Sequence, residues 1–186
     1  MSRTPKLRIH VDDDTGLCML EERHAQELYD LVDANRSHLR AWLPWVDYER
    51  SVQDSKAFIK SALGQFASNE GFQLGIWYRE QLAGVIGYHP INWSNRNVEI
   101  GYWLAQAFEG KGLMTRACRT LVTYAFDELG LNKVVIACAT GNRRSCAIPQ
   151  RLGFKQEGIL RDAEWLYDHY VDHAVYGMLA RDWQQG

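Results

Sequence analysis

Two neighbouring stretches late in the chain constrain the fold more than any others. Met114, Ala117, Leu121, Ala125 and Leu129 lie on one side of a helix, and Cys118, Val122 and Phe126 widen that side, so the helix must be buried over a broad face. Val134 to Ala139 follows without a polar residue. A strand with one wet face alternates, so this run suits a central strand covered on both faces. Ala147 to Leu152 then reads as a short helix stopped by Gly153. With Asn97 to Leu104 read as a strand ahead of them, these pieces form a strand–helix–strand–helix crossover unit, which needs a sheet with helices packed on it.

The rest of the chain supplies that sheet. Phe72 to Tyr78 and Leu82 to Tyr88 read as strands joined at Glu80-Gln81, an antiparallel meander with Asn97 to Leu104. Leu7 to Val11 and Leu17 to Glu21 form an opening hairpin around Asp12-Asp13-Asp14, read as a solvated turn. Helical spacing marks His24 to Asn35, and again Ala57, Phe58, Ser61, Ala62, Gln65 and Phe66. Phe154 to Trp165 and Val171 to Leu179 close the chain as a hairpin around Tyr167-Asp168-His169. The class is α/β (α+β) with a mixed sheet. No repeat, low-complexity tract or linker marks a boundary, so residues 1–186 are expected to form one domain.

Composition removes several function classes. No stretch approaches the roughly 20 apolar residues of a membrane span, and Met1 to Asp14 is polar where a secretory leader is apolar, so a cytoplasmic protein without a membrane partner is expected. The formal net charge is −2 with no block of Lys or Arg, which argues against a nucleic-acid partner. Cys18, Cys118, Cys138 and Cys146 form no C-x-x-C pair and read as reduced thiols. His169 and His173 would lie about 13 Å apart on a strand, too far to share an ion, and no metal is assigned.

The stretch richest in chemistry is Phe108-Glu109-Gly110-Lys111-Gly112-Leu113-Met114, which opens the long helix. Unpaired N–H groups and the helix dipole favour an anion there, and glycine lets the chain wrap a phosphate closely. A tight turn that merely needs two glycines is the alternative. A dinucleotide fingerprint would require a third glycine where Thr115 stands, and in a P-loop Lys111 would be followed by Ser or Thr, not by Gly112.

The spacing continues through Gly101-Tyr102-Trp103-Leu104, Thr140-Gly141-Asn142-Arg143-Arg144-Ser145 and Ala147-Ile148-Pro149-Gln150-Arg151-Leu152-Gly153-Phe154. The whole resembles the GNAT acetyltransferases, and within them the ribosomal-protein N-terminal acetyltransferases of the RimJ/RimL type. That resemblance implies a bacterial enzyme with a mixed, mostly antiparallel sheet of about seven strands, splayed between strands four and five and flanked by helices. It implies acetyl-CoA as cofactor: the pantetheine arm on the main chain of Tyr102, Trp103 and Leu104, and the diphosphate on Phe108, Glu109, Gly110, Lys111, Gly112, Leu113, Met114 and Thr115. One departure is Ala107, where the superfamily often has Gln or Arg.

By the same resemblance Asn142 contacts the cofactor arm and Ser145 lies near the sulfur, although both could simply cap a helix. A tyrosine acid used in a second pattern of the superfamily is replaced by Leu152. Glu164 stands where the RimL-like branch carries its general base, with Glu99 as the rival, and Trp42, Trp45 and Tyr48 border the acceptor cleft or serve as core.

Direct attack by an amine needs alignment, a route for its proton and help for the leaving thiolate, and no enzyme nucleophile. An α-amine is about 10 to 20% neutral at pH 7, whereas freeing a lysine amine costs about 4.6 kcal/mol, which favours a protein N-terminus as acceptor. A polyamine or antibiotic amine, or a non-catalytic acyl-CoA-binding module, are the alternatives. Exposed aromatic surface makes a homodimer or higher homo-oligomer an expectation.

Overall fold

The computed structural model describes residues 7–183; the polar start over residues 1–6 and the last residues, 184–186, lie outside it. The acidic turn joins β1 (Arg8–Asp12) to β2 (Thr15–Met19). It is tighter than expected because the Asp12 carboxylate accepts the Asp14 N–H at 3.0 Å, so β2 begins early and Glu21 is already outside the strand. A 3₁₀ turn leads into α1 (Ala25–Ala34), followed by the short α2 (Arg36–Arg40), a second 3₁₀ turn at Val46–Tyr48 and α3 (Val52–Ala67).

The meander is β3 (Gln73–Tyr78), β4 (Gln81–Tyr88) and β5 (Asn97–Leu104). Its first turn falls on Arg79 and Glu80, one residue earlier than expected, with φ of +48° and +66°. Two consecutive left-handed residues match the right-handed twist of the flanking strands. α4 (Leu113–Asp127), β6 (Lys133–Ala139) and α5 (Arg143–Arg151) make the crossover, and β7 (Lys155–Leu166) with β8 (His169–Leu179) closes the chain.

Among the described residues the sheet has eight strands, in the order β1-β2-β3-β4-β5-β6-β8-β7, where the resemblance implies about seven. Every pair is antiparallel except β5–β6, which pairs only from Asn97–Lys133 to Glu99–Val135. Beyond that point β5 stays with β4 as far as Leu104–Gly84, and β6 stays with β8 as far as Ala139–His173. The sheet therefore opens as a V between two central strands.

Both faces are covered. α4 buries Leu113, Met114, Ala117, Cys118, Leu121, Val122 and Ala125 against Val98, Ile100, Val134 and Ile136. α1 and α3 bury Leu28, Val32 and Ile59 in a separate cluster with Leu82 and Val85 of β4. Each fully buried aliphatic side chain of this kind stabilises the fold by about 1.5–3 kcal/mol, so neither layer can be lifted to widen the V without a large cost.

Candidate active site

The glycine loop is built around two left-handed residues, Gly110 at φ +75° and Gly112 at φ +71°, the latter capping α4. Phe108 and Glu109 spend their N–H groups on the carbonyls of Ala105 and Gln106 at 3.0 and 3.2 Å. From Gly110 through Thr115 no amide takes a main-chain acceptor among the described residues. A run of unpaired N–H groups at the N-terminus of a long helix is a cradle for phosphate oxygens. Arg116 braces it, bonding the Lys111 carbonyl at 2.9 Å and Asp12 at 2.6 Å. Burial alone would raise the Asp12 carboxyl, but the hydrogen bonds from Arg116 and from the Asp14 N–H hold it below its usual range. Lys111 turns to the Ala107 carbonyl and over the Phe108 ring. Glu109 is held by Arg144 and by His38, the latter at 3.2 Å.

This loop forms one wall of a cavity of about 1080 Å³ that Tyr102, Trp103, Leu104, Met114, Asn142 and Ser145 also line. A second cavity, of about 630 Å³, is lined by Glu99 to Trp103 of β5, Ala137 to Ala139 of β6, Glu164 and His173. Trp42, Leu43, Tyr102, Trp103, Asn142 and Ser145 line both, so the two spaces adjoin along a wall that includes Ser145.

Ser145 sits in the first turn of α5, which starts earlier than the apolar spacing indicates because Asn142 caps it, accepting the Ser145 N–H at 3.1 Å. Asn142 is thus a cap and a cavity wall at once. The helix also contains Pro149, which has no N–H to give the carbonyl four residues back. That carbonyl belongs to Ser145, and the Tyr102 phenol donates to it at 3.1 Å. The same phenol oxygen accepts the Ser145 hydroxyl at 3.3 Å. Burial pushes the Tyr102 phenol well above its ordinary range, so it stays protonated. Cys138, beside Ser145, is likewise pushed up by burial and stays a neutral thiol.

The smaller cavity brings together residues far apart in sequence. Trp42, Trp45 and Tyr48 line it, Trp45 tilted against Trp103 with centroids 6.0 Å apart. Glu99 and Glu164 line it too, each beside an imidazole: His89–Glu99 at 3.7 Å and His173–Glu164 at 3.5 Å. The Glu164 pair is the more shielded, with side chains 30% and 20% exposed for Glu164 and His173 against 39% and 52% for Glu99 and His89. An irregularity between Leu160 and Glu164 sets Glu164 opposite Val171, diagonal to His173; Asp162 there has φ +48°, and its N–H is held by Asp172 at 2.9 Å. Such bulges re-aim side chains next to active sites.

Residues 16–155 match the acetyltransferase (GNAT) domain family. The chain belongs to the GNAT acetyltransferases. The Bacillus subtilis (strain 168) protein YdaF is 38% identical over 175 residues, covering 94% of this chain and 96% of that one. The ribosomal-protein-serine acetyltransferase of Escherichia coli (strain K12) is 29% identical over 171 residues, 92% of this chain and 96% of that protein. Among solved structures, RimL, a ribosomal L7/L12 α-N-protein acetyltransferase in complex with coenzyme A, superposes with a TM-score of 0.91 at 27% identity, covering 95% of this chain and 99% of that one.

This GNAT enzyme has site features that motif spacing does not show. Glu49 lines the smaller cavity, where burial raises its carboxyl despite a hydrogen bond from Ser55. Neither its position nor that of His89 carried a sequence signal, and His173 stood out only through its spacing to His169. For the Tyr102 side chain one signal existed: a proline inside α5 leaves the carbonyl of Ser145 without its helical donor.

Proposed function

We propose that this acetyltransferase acetylates the N-terminal α-amine of a protein, such as a ribosomal protein, through one domain spanning residues 1–186. Acetyl-CoA is the donor, supplying a thioester that an amine attacks directly. The observation that carries the acceptor reading is the smaller cavity: Glu49, Glu99 and Glu164 are on its wall, no lysine or arginine among the described residues is, and it opens on Ser145. Such a field draws in a cation, which an amine is before it reacts. The ribosomal-protein acetyltransferases among the relatives support a protein acceptor and a cytoplasmic reaction.

The amides from Gly110 through Thr115 hold the diphosphate, and the edge of β5 beyond Glu99, released from β6, offers main chain to the pantetheine arm. Glu164, directly or through water, takes the amine proton. The Ser145 hydroxyl serves the leaving sulfur, and amides near Tyr102 polarise the carbonyl. Exposed Ile159, Leu160, Trp165 and Tyr170 on β7 and β8 support self-association.

Thiol release from acetyl-CoA, followed with a panel of N-terminal peptides, the same peptides blocked at the α-amine, and spermidine, tests the reading. Release that requires a free α-amine is expected. Release driven by spermidine above every peptide would transfer the assignment to a small amine, and no acceptor-dependent release would remove it.

A further inference from the structure

We infer that Tyr102 is the positioning residue for Ser145, and that Pro149 is what makes it one. The inference rests on Ser145 serving the leaving sulfur. In a regular helix the N–H of the residue at 149 would donate to the Ser145 carbonyl, and nothing would draw a phenol to that spot. Proline withholds the donor, and a carbonyl left bare in this partly buried position is costly. The Tyr102 phenol, itself needing a partner inside the protein, donates to it at 3.1 Å.

With its proton committed to that carbonyl, the phenol oxygen has only lone pairs to offer the Ser145 hydroxyl, 3.3 Å away. The phenol therefore fixes which way the hydroxyl oxygen faces, on the wall that the two cavities share. As negative charge grows on the sulfur, the hydroxyl proton swings from the phenol oxygen to it, and the phenol keeps its own proton on the Ser145 carbonyl. No bond to Tyr102 is made or broken beyond that exchange of hydrogen bonds. The arrangement also gives a role to a side chain on β5 whose main chain borders the cofactor, in an enzyme where the superfamily's other tyrosine position is Leu152.

A double-mutant cycle on the full chain separates this role from simple satisfaction of the carbonyl. Tyr102→Phe is expected to lower the thermal midpoint by about 3 to 6 °C. In the Pro149→Ala background most of that loss should vanish, because the main-chain N–H that the substitution introduces takes over the Ser145 carbonyl. kcat should behave otherwise: about tenfold lower in Tyr102→Phe with KM for acetyl-CoA unchanged, and still low in the double variant, since the hydroxyl has lost its guide. If Pro149→Ala restores kcat along with stability, or if Tyr102→Phe turns over at the parent rate, the inference fails. A Tyr102→Phe loss that is equal in both backgrounds overturns the Pro149 link. Ser145→Ala keeps the two layers apart. Undiminished turnover there removes the role of Ser145 itself, whereas a fall there beside an unaffected Tyr102→Phe removes only the inference. Should Tyr102→Phe not fold, the double variant still decides, because its kcat at parent level overturns the guide role.

Discussion

The two cavities that adjoin at the wall carrying Ser145 are built by opposite means. The larger one presents consecutive main-chain N–H groups of one loop, held open by left-handed glycines and braced by Arg116. The smaller one presents side chains from the segment after α2, from β5, β6, β7 and β8, and from α5. A site made of main chain is sensitive to backbone conformation and tolerant of side-chain exchange. A site made of side chains is the reverse, and can change its acceptor without disturbing the donor.

The largest departure between the two is expected at Glu164. Glu164→Gln should cut turnover by about a hundredfold near neutral pH and recover partly as pH rises, because a higher pH supplies the neutral amine that the carboxylate otherwise produces. Glu99→Gln should do much less, since its pair with His89 is the more open to water. Pre-steady-state rates against pH check this; a pH-dependent loss in Glu99→Gln with Glu164→Gln near parent would move the base to β5. Acetyl-CoA affinity should stay at parent in both variants.

Gly112→Val should show the converse, weakening acetyl-CoA about tenfold or more by calorimetry. A left-handed φ of +71° is costly for a β-branched residue, and a Cβ there would meet the Arg116 guanidinium at 2.9 Å. Lys111→Ala should change affinity less, because Lys111 turns away to the Ala107 carbonyl. Equal, parent-like affinities would break the contrast drawn between the cavities.

The smallest effect is expected from the brace. Asp12 has its carboxyl held down in the folded state, so its contribution is present above the ordinary carboxylate range and lost as pH falls through the lowered value. Asp12→Asn should lower the thermal midpoint by about 2 °C at neutral pH, with the difference closing in acid. A gap that stayed constant down to strongly acid pH would mean that Asp12 acts through shape alone.

Much of the fold could be read along the chain. The broad stripe of α4 and the unbroken run of β6 imposed a crossover against a covered sheet. Met114, Ala117, Cys118, Leu121, Val122 and Ala125 are buried as expected, whereas Phe126 is half-buried, Leu129 falls beyond the helix end, and β6 alternates buried with half-buried residues up to Cys138. Boundaries slipped where a side chain intervened: Asp12 tightened the first turn, and Asn142 started α5 early. The glycine loop was legible because its donors are consecutive and its glycines are demanded by local φ values.

The acceptor side was legible only in part. Trp42, Trp45, Tyr48, Glu99 and Glu164 could be nominated, but nothing local says that they share one space. Periodicity and backbone demand act between near neighbours, so the sequence by itself determined the layers, the glycine loop before α4 and a short helix after β6. Tertiary structure alone decided that β5 leaves β6 after Glu99, that the irregularity in β7 sets Glu164 beside His173, and that Tyr102 fills the carbonyl left bare by Pro149. The first and the last join residues tens of positions apart, and all three rest on contacts that exist only once the sheet has closed around them.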